Sequence, residues 1–223
     1  MNFLDTILNI IFPVNCVSCK KRGVDLCIDC LSDSPKAERE CVEWIFPLFD
    51  YRHPPMKKSI WLLKYKNRKK LAKIFADVLY GKIIEELSEL SQMKNFREPL
   101  LIPIPLSSKR YQERGYNQAE LICDKLVEID AKNIKNNPEK NFTLVKNVLI
   151  KTKETKHQAN IKDRRERLKN LTDSFSVRNK DVIKNKNIIL IDDVTTTGTT
   201  LEEACKTLKQ SGAKKIIAFT VAH

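Results

Sequence analysis

The chain has 223 residues, a length that suits one α/β domain with a small appendage. Its 42% hydrophobic and 31% charged residues are typical of a globular protein, which argues against a disordered chain, and no apolar run is long enough to cross a bilayer. The 41 Lys and Arg residues exceed the 28 acids and give a formal charge of +13, which favours an anionic partner without identifying it.

The N-terminal part begins with an apolar segment and continues with cysteines. For residues 3–12 we expect a short helix docked on the core rather than a secretory signal, with a membrane-surface helix as the alternative. Two C-x-x-C pairs follow, Cys16 with Cys19 and Cys27 with Cys30. Such pairs can place four thiolates around a zinc ion, which would make a closed, structural site. Disulfides are the alternative, and they need an oxidising compartment for which no export signal is visible.

Residues 41–50 are predicted to contain a short strand, and residues 56–92 one or two amphipathic helices. Residues 56–73 contain eight Lys or Arg residues and no acid. This basic segment, with the rings of Trp61, Tyr65 and the nearby Phe75, could follow a nucleic-acid backbone while its aromatic rings stack on bases. A solvated helix face whose apolar residues pack inward is an equally good interpretation.

From residue 99 onward, strand-like and helix-like segments alternate. We predict strands at 99–105, 142–150, 174–177, 188–191 and 215–221, helices at 116–128 and 200–211, and polar loops at 131–141 and 151–170. A buried apolar strand followed by a helix and another strand is a βαβ unit. The pattern therefore predicts a mostly parallel sheet flanked by helices.

The most specific pattern is IILIDDVTTTGTTL at residues 188–201. Open α/β sheets bind ligands at the carboxyl ends of their strands, where Asp192 and Asp193 would lie. Two adjacent carboxylates can accept hydrogen bonds from a vicinal diol, and the backbone amides of residues 196–200, at the start of a helix, can converge on a phosphate. An ordinary helix cap is the alternative, but it needs fewer polar residues. The phosphate loop of nucleoside triphosphatases and the dinucleotide fingerprint are both missing.

These residues resemble the signature of the type I phosphoribosyltransferases. The resemblance implies that Asp192 and Asp193 are the catalytic pair that holds the ribose 2′- and 3′-hydroxyls. It also implies a ribose 5-phosphate site at Thr196, Thr197, Gly198, Thr199 and Thr200. In that family the substrate is 5-phosphoribosyl 1-pyrophosphate, and magnesium bridges its pyrophosphate and hydroxyls largely through waters.

A pyrophosphate group needs donors of its own, and the turn after the strand at 99–105 offers Ser107, Ser108, Lys109, Arg110 and Arg114. A basic helix cap with a solvated arginine pair is the alternative. The run at 102–122 resembles the ComF-type competence proteins in its Arg-x-x-x-Arg-Gly-aromatic-Asn-Gln pattern. Residues 155–170 resemble the same group at Gln158, Arg167 and Asn170, and the cysteine pairs resemble its N-terminal zinc module.

We therefore predict a type I phosphoribosyltransferase-like domain at 51–223 and a zinc-binding module at 1–50. The resemblance implies a cytoplasmic ComF-type protein, peripheral at the inner membrane as an alternative, that acts in DNA uptake during natural transformation. Its implied partners are phosphoribosyl pyrophosphate or a related ribose phosphate, single-stranded DNA and the inner-membrane DNA-uptake machinery. Structural zinc and ligand-bound magnesium are the implied cofactors. An active phosphoribosyltransferase of nucleotide or amine metabolism and an adaptor with a vestigial pocket are the alternatives.

Overall fold

The computed structural model describes residues 14–38, 43–133, 140–152 and 174–223. Its helices are α1 (Ile28–Ser32), α2 (Pro54–Tyr65), α3 (Lys70–Lys94), α4 (Ser108–Arg114), α5 (Gln118–Asn133) and α6 (Thr199–Gln210). Its strands are β1 (Ile45–Phe49), β2 (Leu100–Pro103), β3 (Thr143–Leu144), β4 (Leu149–Lys151), β5 (Phe175–Val177), β6 (Ile188–Val194) and β7 (Ile216–Ala222).

Five strands form one parallel sheet in the order β1-β7-β6-β2-β3. Strand β6 lies at its centre, where Leu190 pairs with Ile102 on one side and Ala218 on the other. Strands β4 and β5 form a separate antiparallel pair. Because all strands of the main sheet run the same way, the carboxyl ends of β2, β6 and β7 meet at one edge, where ligands bind in open α/β sheets.

Alternate residues of β6 point to opposite faces of the sheet. Ile189 and Ile191 join the core formed with α2, α3 and α5, whereas Ile188 and Leu190 join the core formed with α6. All four side chains are fully buried. The predicted architecture, a mostly parallel sheet covered by helices on both faces, is confirmed.

The predicted helical region at 56–92 forms two helices, α2 and α3. They are separated at residues 66–69, where Asn67 has a φ of 53°. A residue in this left-handed conformation interrupts a right-handed helix. The helix α3 has 25 residues. Among the residues that the structure describes, however, no helix is both long enough and apolar enough to cross a membrane.

Several strands differ from the sequence prediction in their bounds or in their place in the fold. The predicted strand at 142–150 forms two short strands, β3 and β4, because Asn147 between them has a φ of 60° and ends the extended chain. Strand β6 continues to Val194, so the Asp192–Asp193 pair lies within its last residues rather than after it. Strand β1 lies within the stretch 1–50 assigned to the N-terminal module, yet it pairs with β7, so the main sheet begins before residue 51.

Candidate functional site

The four cysteines of the two C-x-x-C pairs lie together in space. Their sulfur atoms are all within 4.8 Å of one another, and the Sγ of Cys27 is 3.8 Å from that of Cys16 and 3.6 Å from that of Cys19. A disulfide needs about 2.05 Å. Four sulfurs at about 2.3 Å from a tetrahedral zinc ion would be about 3.8 Å apart, so the separations fit an ion of that kind. The cluster, completed by Cys30, could therefore hold a metal ion.

This cysteine knuckle, residues 14–32, is packed firmly against the helices. Leu26 and Leu31 are fully buried in the core formed with α2, α3 and α5. The backbone N–H of Cys27 donates to the Sγ of Cys16 at 3.4 Å, and the Nε of Arg68 lies 3.6 Å from the Oδ1 of Asp25. The knuckle is thereby fixed against the turn that joins α2 to α3.

The loop between β6 and α6, residues 195–198, forms a small hollow at the sheet edge. The hollow is lined by Asp192 and by residues 194–201. Gly198 has a φ of 77°, a conformation that glycine adopts without strain, and it directly precedes the first turn of α6. The amides of a first helical turn have no partners within their helix, and they point toward the positive end of the helix dipole. These amides could donate to an anion in the hollow.

Beside the hollow lies a deeper cleft of about 110 Å³ between the ends of β2 and β6. Its polar lining comprises Lys64, Ser107, Arg110, Arg114, Asn117, Gln118, Lys151, Asp192, Asp193 and Thr200. The Nζ of Lys64 is 2.9 Å from the Oδ1 of Asp193, and the side chains of this ion pair are only 19% and 8% exposed. Asp192 is half-buried and lines both the cleft and the hollow.

The charges in the cleft shift one another's pKa values. Burial raises the pKa of Asp192 to about 7, and the neighbouring Asp193 carboxylate adds to the shift. Burial alone would lower the pKa of Lys64, but the hydrogen bond and attraction of Asp193 and the attraction of Asp192 together outweigh it, so this pKa lies above its ordinary value. Burial lowers the pKa of Lys151 to about 8, and repulsion from Arg110 acts in the same direction. The cleft thus concentrates cations around one titratable carboxylate.

The Arg-x-x-x-Arg-Gly-aromatic-Asn-Gln motif builds one wall of the cleft. Asn117 is its anchor, since its Nδ2 donates to the Ile104 carbonyl at 2.9 Å and its Oδ1 accepts from the N–H of Ala119 at 3.0 Å. Arg114 donates to the Oε1 of Gln118 at 2.8 Å. Gln118 is 2% exposed, and its Nε2 has no protein partner. The wall therefore presents a buried amide donor to the cleft.

The structure distributes the predicted pyrophosphate-binding residues unevenly. Arg110, Arg114 and Ser107 line the cleft, whereas Ser108 lines a neighbouring pocket and Lys109 lines neither. The candidates Gln158, Arg167 and Asn170, like the apolar segment 3–12, lie outside the described residues.

Two cleft residues, Lys64 and Lys151, were missed by the sequence analysis. Lys64 lies on α2, in the basic segment that we considered for nucleic acid, and Lys151 ends β4 in the smaller sheet. Neither lysine belongs to a local motif, since α2 and β4 bring them to the cleft from distant parts of the chain. Within the basic segment, nothing in the sequence distinguishes Lys64 from the seven other basic residues as the one that lines the cleft.

A second basic surface, the basic groove, runs between the cysteine knuckle and α3. Its volume is about 1160 Å³. Its cations are Arg22, Arg68, Lys69, Lys70, Lys73 and Lys125, and Asp25 is the acid among its lining residues. On the adjacent helix α2, Trp61 and Tyr65 are 44% and 50% exposed with ring centroids 6.1 Å apart. The hydroxyl of Tyr65 accepts from Arg114 at 3.2 Å, so this aromatic pair adjoins the wall of the cleft.

Comparison with known proteins connects this chain to a family. The phosphoribosyl transferase domain profile matches residues 125–223, which include β6, the hollow and α6. Competence protein F of Haemophilus influenzae is 30% identical over 199 residues, 88% of this chain and 78% of that protein. The DNA utilization protein YhgH of Salmonella typhimurium is 24% identical over 196 residues, 85% and 74% of the two chains. Competence protein ComFC of Bacillus subtilis is 34% identical over 123 residues, 55% and 43% of the two chains.

The resemblance expected from the motifs is thereby confirmed. The similarity to Competence protein F extends over most of both chains, and the parallel sheet and the four-cysteine cluster are present as expected. The chain belongs to the ComF-type family of phosphoribosyltransferase-like competence proteins.

Proposed function

We propose that this protein handles DNA during natural transformation, binding phosphoribosyl pyrophosphate or a related ribose phosphate in the cleft and single-stranded DNA in the basic groove. The names of its relatives, competence protein and DNA utilization protein, support a role in DNA uptake. The observation that supports this ligand is that Asp192 lines both the hollow and the cleft, so that a phosphate bound in the hollow would lie beside a hydroxyl acceptor.

The ligand would lie across the end of β6. Its 5-phosphate would occupy the hollow, where the amides of residues 196–200 surround it. Its hydroxyls would donate to Asp192, and the pyrophosphate would lie toward Arg110 and Lys151, which line the same cleft. The Nε2 of Gln118 would find in the bound ligand the acceptor that it lacks in the protein.

Both implied metal ions fit the residues present. The sulfur separations of the cysteine cluster support zinc as its occupant, and zinc would keep the knuckle folded beside the groove. Magnesium binds oxygen ligands and keeps several waters, so a half-buried carboxylate next to a pyrophosphate site suits it. When bound, magnesium would neutralise the charge of the pyrophosphate. Metal analysis of the purified protein should find about one zinc per chain, and the absence of zinc would refute that assignment.

Single-stranded DNA would follow the basic groove through its phosphates. Lys69, Lys70 and Lys73 are exposed there and the groove is open, as an electrostatic track requires. The exposed rings of Trp61 and Tyr65, on the adjacent helix α2, offer bases a stacking surface. We place the protein in the cytoplasm, working beside the DNA-uptake machinery of the inner membrane.

Thermal-shift titrations would test the two sites separately. Phosphoribosyl pyrophosphate with magnesium should raise the melting temperature of the wild type, and at the same concentration it should raise that of Asp192→Asn by much less. Single-stranded DNA should raise it in both proteins, but less in a Lys70→Gln/Lys73→Gln variant. A wild-type protein that responds to neither ligand would refute the proposal and favour an adaptor with a vestigial pocket.

An active phosphoribosyltransferase is the second candidate function. The observation that favours it is the position of Lys151, a half-buried cation near Arg110 and Asp192 at the side where pyrophosphate would leave. The test is magnesium-dependent release of pyrophosphate in the presence of purine and pyrimidine bases or amines. Release that Asp192→Asn abolishes would support catalysis, and inertness toward all acceptors would contradict it.

A further inference from the structure

Gln118, the first residue of α5, presents a buried amide to the cleft. Its side chain is only 2% exposed, and its Nε2 has no hydrogen-bond partner among the residues that the structure describes. Buried amide donors in folded proteins are nearly always paired, either with the protein or with a bound group. An unpaired donor in the lining of a cleft therefore indicates where a ligand supplies an acceptor.

Arg114 fixes the orientation of this amide. The Nη1 of Arg114 donates to the Oε1 of Gln118 at 2.8 Å. A guanidinium group carries donors only, so the reversed amide would place two donors against each other. Gln118 must then keep its N–H groups on the side away from Arg114. The ligand atom that pairs with them is therefore an acceptor.

Tyr65 in turn holds Arg114 from helix α2. The Nη2 of Arg114 donates to the Tyr65 hydroxyl at 3.2 Å, and its Cζ lies 5.0 Å from the centroid of the Tyr65 ring. Cations are attracted to the faces of aromatic rings, so the ring and the hydroxyl both stabilise this placement of the guanidinium. A chain of contacts thus leads from the exposed side chain of Tyr65 through Arg114 to the buried amide of Gln118.

The charge around the amide favours an oxyanion over a neutral acceptor. Within the described part of the chain, the hydrogen-bond partners of the Arg114 side chain are the neutral Gln118 and Tyr65, and its Nε is buried without a partner. The cations that line the cleft outnumber its carboxylates, Asp192 and Asp193; they are Lys64, Arg110, Arg114 and Lys151. A hydrogen bond from N–H to a charged oxygen is about twice as strong as one to a neutral oxygen. The amide and the guanidinium together are therefore suited to a phosphate or carboxylate oxygen.

The position of the amide places this oxyanion at one end of the sugar. Gln118 and Arg114 line the cleft but not the hollow, whereas Asp192 lines both. A ligand whose 5-phosphate lies in the hollow and whose hydroxyls reach Asp192 therefore extends its carbon 1 into the cleft. Phosphoribosyl pyrophosphate carries an anionic group at carbon 1, ribose 5-phosphate carries a neutral hydroxyl there, and a nucleoside 5′-monophosphate carries a neutral base.

We infer that Gln118 determines the specificity of the cleft for sugar phosphates that carry an oxyanion at carbon 1, and that Arg114 and Tyr65 position its amide. The inference rests on the proposal that the cleft binds a sugar phosphate, and it adds the residue that distinguishes one such ligand from another. Gln118 donates to the oxyanion through Nε2, beside Arg110 and Lys151 in the same cleft. Tyr65 is not among the residues that line the cleft, so it acts through Arg114 and Gln118.

Isothermal titration calorimetry with two ligands tests this specificity. Phosphoribosyl pyrophosphate with magnesium and ribose 5-phosphate share the 5-phosphate and the 2- and 3-hydroxyls, and they differ at carbon 1. Gln118→Met should weaken the binding of phosphoribosyl pyrophosphate about 10- to 100-fold, the loss expected for a charge-assisted hydrogen bond, and that of ribose 5-phosphate less than about threefold. Gln118→Glu at pH 8 should weaken phosphoribosyl pyrophosphate at least as much, because a carboxylate repels the oxyanion. Gln112→Glu, which adds the same charge at an exposed site on α4, should change neither affinity.

The ratio of the two affinities decides the outcome. Equal losses for both ligands, or no loss for either, in a Gln118 variant with a normal melting curve would overturn the inference and leave the proposed function intact. A wild-type protein that binds neither ligand would overturn both.

Tyr65→Phe tests the positioning role without changing the buried amide. The variant keeps the ring and loses the hydroxyl of a side chain that is 50% exposed, so it should fold normally even if the Gln118 variants do not. Phosphoribosyl pyrophosphate should bind about threefold to tenfold more weakly and ribose 5-phosphate unchanged. In the Gln118→Met background the effect of Tyr65→Phe should fall below about twofold, because residues that act through one another are not additive.

Tyr111→Phe, which removes the hydroxyl of another exposed tyrosine, is the matched control and should leave both affinities unchanged. No loss in Tyr65→Phe, a loss that is the same for both ligands, or a loss that is fully additive with Gln118→Met would overturn the positioning role.

Discussion

The cleft and the basic groove are both built to receive anions, but they use charge in opposite ways. In the cleft the cations are half-buried, and the Nζ of Lys64 lies 2.9 Å from the Oδ1 of Asp193. In the groove Arg22, Lys69 and Lys70 are exposed on flexible side chains. Buried charges are weakly screened and position a ligand precisely in space, whereas exposed charges attract any polyanion and are screened by salt. The contrast therefore separates recognition of a small molecule from retention of a polymer.

Breaking the buried ion pair should have the largest effect. Lys64→Met leaves the Asp193 carboxylate buried without its partner, which should lower the free energy of unfolding by about 3–5 kcal/mol. Urea denaturation measures this change. Lys57→Met, an exposed site on the same helix, is the matched control and should change little. Equal stability of the two variants would mean that the cleft does not depend on the pair.

The groove should respond to salt much more strongly than the cleft. If single-stranded DNA neutralises about four groove cations, its affinity should fall about 50-fold between 50 and 200 mM salt. Filter binding measures this slope. Lys70→Gln/Lys73→Gln should flatten the logarithmic slope by about 1.4. Lys206→Gln/Lys209→Gln, on α6 at the other face of the sheet, should leave it unchanged, and a change there would point to non-specific binding.

Removing the accessible carboxylate should affect the cleft alone. Asp192→Asn loses a charge-assisted hydrogen bond to the sugar, so ribose 5-phosphate should bind about 10- to 100-fold more weakly. Calorimetry measures this loss, and the affinity for single-stranded DNA provides the internal control. A parallel loss of DNA binding would show that the two regions are not separate sites.

The smallest expected effect is a pH dependence of sugar phosphate binding. The pKa of Asp192 is about 7, so its ionised fraction rises from about one tenth at pH 6 to about nine tenths at pH 8. Binding should tighten by about fivefold to tenfold over that interval, because the carboxylate is the better acceptor. Asp192→Asn should retain only the contribution of the phosphate group, which itself titrates near pH 6.

The stability of the unliganded protein should depend on pH in the opposite direction: it should fall as the pH rises. Because the pKa of Asp192 is raised from its ordinary value of 3.8, the folded state loses stability as the pH rises from about 4 through 7. Lys64, Lys151 and Asp193 face the same group and set the size of this change. Thermal melting of the wild type and of Asp192→Asn at pH 5 and pH 8 measures this contribution, because the variant lacks the titrating carboxylate and should lose less stability between the two pH values.

Features built from residues close together in the chain could be predicted from the sequence, whereas contacts between distant elements could not. The hollow was predictable because Asp192 and residues 196–200 are contiguous, and a strand followed by a helix fixes where they lie. The four cysteines were predictable because their spacing is local. The ion pair of Lys64 with Asp193 was not, since two elements far apart in the chain meet only through packing. The division of residues 142–150 into two strands depended on the backbone conformation of Asn147, which a β-rich pattern does not reveal.

The most direct test of the account is the response of backbone amide resonances to phosphoribosyl pyrophosphate with magnesium. Because the 5-phosphate is expected to bind between β6 and α6, the largest chemical-shift changes should occur at residues 196–200 and at Asp192, with small changes at Lys69 and Lys70 in the groove. Changes concentrated in the groove, with the amides of residues 196–200 unmoved, would contradict it.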